Sequence, residues 1–534
     1  MPQLPDVLQA PDLPRTAPGI PGLLDGSGAG HRHRQRIRGH VIPAPNTRIR
    51  VLQDGPVRPE GTHVLYWMVG FRRPRWNYAL QHAAAHAAKL GRPLLILEAL
   101  RVGYPWASDR LHRFILDGMR ANARHFSERN VVYFPYVERG AGEGKGLLTA
   151  LSKDACLIVS DDYPTFFVPK MQEAAASRTN LRLELVDSNG LYPMRATDKV
   201  FSRAFDFRRH LQKELPKHLG AQPLPDPLEG LAPVSKDDAQ TLLASAAPNW
   251  KRASESVLRG ETLASLPIDH GVAPVELAGG FDAGEARIHD FLASAIDRYG
   301  EERSHPDADA ASGLSPWLHF GHVSAHQIFD ELVKNEGWSS EQLAPKVNGA
   351  REGWWGMSST AESFLDELIT WRELGFNMSA HRSDYDQYES LPGWARETLE
   401  QHESDERPYL YSLDQLAASE THDPIWNAAQ TELRETGRLQ NYLRMLWGKK
   451  ILEWSPSARD ALAVMVELNN KYALDGRDPN SYSGIFWILG RYDRAWGPER
   501  PIFGKIRYMS SENTKRKLRM REYLERFGDQ GSLL

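Results

Sequence analysis

The sequence contains one cysteine, Cys156, set in the apolar run ACLIVS. A single thiol excludes an internal disulfide and any cysteine-cluster metal site, and its apolar setting reads as a buried, inert side chain. No metal ion is expected. Long hydrophobic runs are also lacking: nothing approaches the roughly 20 apolar residues that a membrane span requires. The chain is therefore expected to be cytoplasmic, without membrane contact. Net charge is small, −4 over 534 residues, and does not announce a nucleic-acid binder. A glycine-rich dinucleotide fingerprint is missing after the first apolar strand, where Val69-Gly70-Phe71-Arg72-Arg73 stands, which argues against an ordinary NAD site.

What is present is tryptophan, unevenly placed. Eleven of the fifteen lie in the last 218 residues. General core fillers should be spread over both halves, so this concentration points to a chromophore, a stacked base or an electron path. Basic charge is uneven as well, with nine Lys or Arg against three Glu from Arg500 to Arg526. Such a patch suits phosphate binding or simply a solvated helix face.

Short apolar runs alternate with helical patterns from His63 onward: HVLYWM, RPLLILEAL, VVYFPYV, CLIVSDD and LRLELVDSNGLYPM. Runs of this kind separated by helices mark a parallel sheet covered on both faces, whose ligands bind at the carboxyl ends of the strands. Beyond Gly279 apolar residues recur at three- and four-residue spacing, as in AESFLDELITWRELGFN and NYLRMLWGKKILEW, and predict helices throughout. The expected organisation is a disordered leader over 1–60, an open, Rossmann-like α/β domain over 61–195, a Pro-rich connector over 196–278, an all-helical domain over 279–527 and a tail over 528–534. The leader carries HRHRQRIR and no apolar periodicity.

Local spacing gives some chemistry. Glu367 and Trp371 are four apart and share a helix face. Ser315 before Pro316 reads as an N-cap and N1 proline, a helix start whose free N–H groups suit a phosphate. Trp447 and Trp454 are seven apart, about 10 Å along one helix. Asp475 and Asp478 suit a turn, Asn469 suits a local cap, and Arg303 among glutamates suits a surface ion pair.

The segments SGLSPWLHFGHVSAHQI, THDPIWNAAQ, NYLRMLWGKKILEW, LNNKYALDGRDPNSY and RAWGPERPIFGKIRYM, in that order, resemble class II cyclobutane pyrimidine dimer photolyases of the photolyase/cryptochrome superfamily. The resemblance runs from about His63 to Tyr508. It implies reduced FAD in the helical domain, passing an electron under blue light to a flipped-out dimer in UV-damaged DNA. By the same resemblance Tyr299, Ser312, Gly313, Leu314, Ser315, Arg444, Asn469, Asp475 and Asp478 hold the cofactor. Glu367, Asn469, Trp371 and Arg303 are catalytic, with Glu367 protonated toward a thymine carbonyl. Trp371, Met445, Trp487 and Trp496 line the lesion pocket, while Lys505 and Arg507 contact DNA. Trp447, Trp426 and Trp454 relay electrons, with Trp454 leading toward solvent.

Trp338, Trp354, Trp355 and Trp394 are read as packing. The first βα turn lacks the acidic residues of class II relatives, so an antenna chromophore, deazaflavin or folate, stays open. A monomer with no obligate protein partner, associating with the nucleoid when bound to DNA, is expected. A cryptochrome-like photoreceptor is the alternative; the full set of lesion-pocket residues favours repair.

Overall fold

The computed structural model describes residues 42–528. The leader expected over 1–41 and tail residues 529–534 lie outside the described residues. Six strands form one sheet: β1 (Ile49–Gln53), β2 (His63–Met68), β3 (Leu94–Leu100), β4 (Val132–Val137), β5 (Ala155–Asp161) and β6 (Leu183–Val186). Their order is β1-β6-β5-β2-β3-β4. β2, β4, β5 and β6 are buried at every position, as the continuous apolar runs require when helices cover both faces. Pro135, which cannot donate to a ladder, sits in edge strand β4, and Ala253 of the connector donates to its carbonyl at 2.8 Å.

Two expectations are corrected. The sheet is mixed, because β1 pairs antiparallel with β6. β1 also falls inside the segment read as a leader. Its reason for being ordered is polar: the buried Arg48 guanidinium donates to the carbonyls of Gly190 and Leu191 at 3.0 and 2.7 Å. Composition alone does not register such an anchor.

After residue 279 the chain is helical, with long helices at Phe281–Ser294, Ala325–Glu336, Pro424–Thr436, Asn441–Trp454 and Ala458–Tyr472. The helical part packs against the α/β part through buried side chains that donate to or accept from backbone. Arg73 donates to Gly321 O at 3.0 Å and Arg372 to Asn189 O at 2.7 Å. Gly321 has φ +69°, and a Cβ there would lie 2.0 Å from Gly70 O, so the turn after β2 is packed directly against the helical part. That turn is held from the other side by Asp161, which accepts the N–H groups of Val69, Gly70 and Phe71 at 2.7–2.9 Å. The carboxyl end of β2 is thus filled by protein.

Glu373 joins the same interface, accepting from Leu191 and Tyr192 N–H at 2.7 and 3.1 Å. Burial pushes its carboxyl up to about 7, against the pull of those two bonds and Arg372. Its folded pKa thus lies above the ordinary 4.5, and between those values the folded state holds the extra proton. Stability contributed by this group falls as pH rises from about 4.5 to 7. In Glu373→Gln, whose amide oxygen keeps one acceptor but does not titrate, the decline in thermal midpoint over this window should flatten. An unchanged profile would remove Glu373 as its source.

Candidate active site

The helical part gathers the expected residues into four groups. The first is built on a π-helical turn, Asp366–Trp371, between the Ser359–Leu365 and Arg372–His381 helices. Such wide turns recur at functional sites because they rotate side chains out of α-helical register. Glu367 on this turn meets Arg303 at 2.7 Å, both side chains being about 30% exposed. Arg303 lies over the Tyr299 ring at 5.3 Å and donates to its hydroxyl at 3.5 Å. Burial works against the Arg303 charge, but Glu367 and Tyr299 outweigh it and hold its pKa above the ordinary value. Sequence suggested an ion pair with neighbouring glutamates; the structure supplies one from another element. Trp371 ends the turn, half-buried against the core.

The second group surrounds Ser312 to Ser315. The short helix Ser315–His319 begins with Leu314 as cap, so Ser315 stands inside it, one position later than the N-cap expected, and no side chain caps the turn. Gly313 has φ +66°, and a Cβ there would come within 2.7 Å of the Arg438 guanidinium and 3.3 Å of that of Arg287. Arg287 donates to Ser312 O and Ala311 O at 2.8 and 2.9 Å. Burial, with the Arg438 charge next in weight, lowers the Arg287 pKa. Among the described residues the Arg438 guanidinium donates no hydrogen bond. Two neighbouring guanidinia with donors to spare call for an oxyanion, and a diphosphate fits that demand.

Arg287 and Arg438 were not singled out from sequence, since each sits in an ordinary polar helix or turn and only the tertiary fold brings them to Gly313. Arg444 was expected to bind phosphate. Its Nη2 donates to Asp475, at 3.0 and 3.2 Å. Burial opposes the Asp475 charge, yet Arg444 and the Ser315 hydroxyl hold its carboxyl below the usual carboxylate range.

Asn469 is buried in the last turn of the Ala458–Tyr472 helix. Its amide donates to Ser481 Oγ at 2.8 Å and Asn470 Oδ1 at 3.3 Å, not to local backbone. Asp478 behaves as the turn reading had it: it caps the Pro479–Ile488 helix through Asn480 N–H at 2.7 Å. Its other oxygen accepts from the Tyr163 hydroxyl at 3.3 Å.

The third group is aromatic and cationic. Arg507 lies over the rings of Trp496 and Trp487 at 4.0 and 5.5 Å and is fixed by Asp493 at 2.9 and 3.2 Å. Trp496 donates to the same carboxylate at 3.2 Å, and Arg494 lies over its ring at 4.5 Å. Buried Lys449 lies 5.1 Å from the Trp487 ring; burial lowers its pKa to about 7, with Asp493 opposing and Arg507 reinforcing that fall. Asp493 and Lys449 carry no spacing signal that sequence could have used. Met445 is half-buried on the Asn441–Trp454 helix. Lys505 is half-exposed and paired with Glu499 at 3.1 Å.

The fourth group is the tryptophan set. Trp426 and Trp447 are parallel within 3°, ring centroids 6.5 Å apart, and Trp426 meets Trp454 at 5.5 Å. Trp426 donates to Trp447 O at 3.0 Å and Trp447 to Gln430 Oε1 at 2.8 Å, which locks both indoles. Trp454 is only 2% exposed, so it does not itself reach solvent. Tyr411 and His422 each lie 5.3 Å from it, and exposed Tyr409 stacks on His422 at 3.8 Å. Trp338, Trp354 and Trp355 pack on one another in the core.

No family model matches the chain. It is 33% identical over 480 residues to the deoxyribodipyrimidine photo-lyase of Methanothermobacter thermautotrophicus, covering 90% of this chain and 97% of that protein. The enzyme of the same name from Oryza sativa subsp. japonica is 33% identical over 490 residues, 90% of each chain. That from Potorous tridactylus is 31% identical over 486 residues, 89% of this chain and 83% of that one. Among solved structures, the fold is similar to a bacterial class III photolyase from Agrobacterium tumefaciens, with TM-score 0.60 and 16% identity over 88% of this chain and 86% of that one. It is also similar to a Synechocystis cryptochrome, with TM-score 0.58 and 16% identity over 87% and 88% of the two chains. Identity of 33% across nine tenths of the chain places it beyond a shared fold: the chain belongs to the deoxyribodipyrimidine photolyase family.

Proposed function

We propose that this chain repairs cyclobutane pyrimidine dimers in DNA in a light-dependent reaction. The observation that carries the reading is the 33% identity spanning 97% of a curated deoxyribodipyrimidine photo-lyase. The cryptochrome alternative has only a likeness of fold behind it, at 16% identity.

Family membership makes the chain a flavoprotein, and FAD, reduced and photoexcited, would supply an electron to the lesion. Arg287 and Arg438, with the backbone from Ser312 to Ser315, would bind its diphosphate. Arg444 orients Asp475, and Asp475 in turn orients Ser315. Ser481 fixes the Asn469 amide, leaving that carboxamide a preset polar contact for the flavin ring. Glu367 would donate to a thymine carbonyl, with Arg303 holding it in place. A damaged base pairs and stacks poorly, so its extrusion into a pocket walled by Trp371, Met445, Trp487 and Trp496 costs less than that of an intact base. Asp493 holds Arg507 against two of those indoles, so this cation comes to DNA already oriented. A second, antenna chromophore is not part of this reading, since the turn after β2 is packed with protein.

Illumination of the reduced protein with DNA bearing defined cyclobutane dimers should restore thymines, measured by chromatography, and give none in darkness. Flavin-loaded protein that binds the DNA and restores nothing in light would overturn the proposal. Lys505 offers a graded check. Its replacement by alanine should reduce the slope of log binding constant against log salt by about one, with little change in lesion preference. An unchanged slope would take Lys505 out of the phosphate contacts.

A further inference from the structure

On the α/β part, far in sequence from every residue of the proposed photochemical site, His82 and His86 lie four apart in the Tyr78–Leu90 helix and project from one face of it. That helix covers the sheet, where Ala79 and Ala83 share a core with Val186 of β6. Glu184 is two residues before Val186 and so points from the sheet toward the helix. His82 Nε2 lies 2.8 Å and His86 Nε2 3.1 Å from the same carboxylate oxygen, Oε2, and the two nitrogens are 3.2 Å apart. The rings stand at 90° to each other, with centroids 4.7 Å apart. Among the described residues this is the one cluster of three such side chains with converging ligand atoms.

We propose that His82, His86 and Glu184 bind a divalent transition metal of the zinc class. Two imidazole nitrogens and a carboxylate oxygen are an accepted donor set for Zn²⁺, and bonds of about 2.0–2.1 Å in a tetrahedron set ligand atoms roughly 3.3 Å apart. The three observed separations approach that edge and need to open by only a few tenths of an ångström. Without an ion, both imidazoles compete for one oxygen while their nitrogens face each other, a poor use of three polar groups. A cation at the centre satisfies all three.

The surroundings favour the ligand state. Arg182 donates to the other Glu184 oxygen, Oε1, at 2.5 Å and is itself held by Asp54 at 2.9 Å. This leaves Oε2 as a single, oriented donor, the task that outer partners perform around metals. The His86 side chain is 21% exposed, which gives an ion a way in and leaves the fourth position to water. His82 Nδ1 has no partner. Missing outer support of that kind typically weakens a site about 10–100-fold, so affinity in the micromolar range is expected. A bound ion would pin the helix to β6 and act as a staple, not as a catalyst.

The test uses the full-length, flavin-loaded protein, stripped with a chelator and titrated with Zn²⁺ by calorimetry, with X-ray absorption at the zinc edge on the loaded sample. One equivalent should bind, with two imidazoles in the first shell. His86→Gln and Glu184→Gln should each weaken binding at least tenfold, while flavin content stays at the wild-type level because His86 is partly exposed. Absence of saturable uptake would overturn the proposal. So would uptake of equal affinity in both variants, which would place the ion elsewhere, His31 and His33 among the options.

Discussion

Trp447→Phe should abolish photoreduction of the oxidised flavin while leaving repair by chemically reduced protein near wild type. The indole of Trp447 is parallel to that of Trp426 at 6.5 Å, and Trp426 meets Trp454 at 5.5 Å, so removing the first ring breaks a sequence of otherwise close contacts. In the proposed reaction repair draws its electron from a flavin that is already reduced, and among the described residues no ring contact joins these three indoles to Trp371, Trp487 or Trp496. The substitution also has a structural cost. Phenylalanine has no N–H, so Gln430 Oε1 loses its donor in a region where Gln430 Nε2 is already unpartnered. A buried acceptor left unmet costs about 1–3 kcal/mol, and the thermal midpoint should fall accordingly. Absorbance of the flavin under blue light with an external thiol reads photoreduction; dimer reversal after dithionite treatment reads repair. If both activities fall in parallel with stability, Trp447 is a structural residue and the relay reading fails. Buried Trp454 touches Tyr411 and His422, so a relay ending at it would reach solvent through one of them, and Tyr411→Phe should slow photoreduction less completely than Trp447→Phe.

The fold was legible where burial is two-sided and continuous. β2 to β6 are apolar runs that only a covered sheet accommodates, and the helices after residue 279 announce themselves by period. β1 was not legible, because its half-buried side chains alternate weakly and its anchor is one buried arginine, Arg48, bonded to carbonyls more than a hundred residues away. The candidate site divides in the same way. Motifs single out candidate residues, yet not what each one touches. No local pattern sets Asp475 against Arg444, and Arg287 and Arg438 look like surface charge until the fold sets both beside Gly313. Four-residue spacing likewise does not reveal that Glu367 and Trp371 stand on a π-helical turn, where side-chain directions differ from those on an α-helix. Tertiary pairing is set by packing across the whole chain, and no local pattern encodes it.

Glu367→Ala should lower repair by about 10²-fold, in line with loss of one oriented contact to a charge that develops during reaction, while photoreduction stays unchanged. The pairing with Arg303 makes the expectation sharper. If Glu367 served only to satisfy Arg303, Glu367→Ala would lose stability yet repair bound dimers at the wild-type yield, and the neutral amide of Glu367→Gln, which keeps an acceptor for the guanidinium, would restore the stability. If it serves the thymine carbonyl, Gln also keeps an N–H donor and repair should recover most of the loss. The contact of Arg303 with the Tyr299 ring does not involve Glu367 and should hold the guanidinium in either variant, which the thermal midpoint checks. Repair yield per absorbed flash on pre-bound DNA separates chemistry from affinity, since a residue that merely shaped the pocket would change the dissociation constant and leave the bound-state yield intact. A yield equal to wild type in Glu367→Ala would therefore remove this carboxylate from the reaction and leave the Glu367 to Arg303 contact as a structural bridge between the π-helical turn and the Ile296–Glu302 helix.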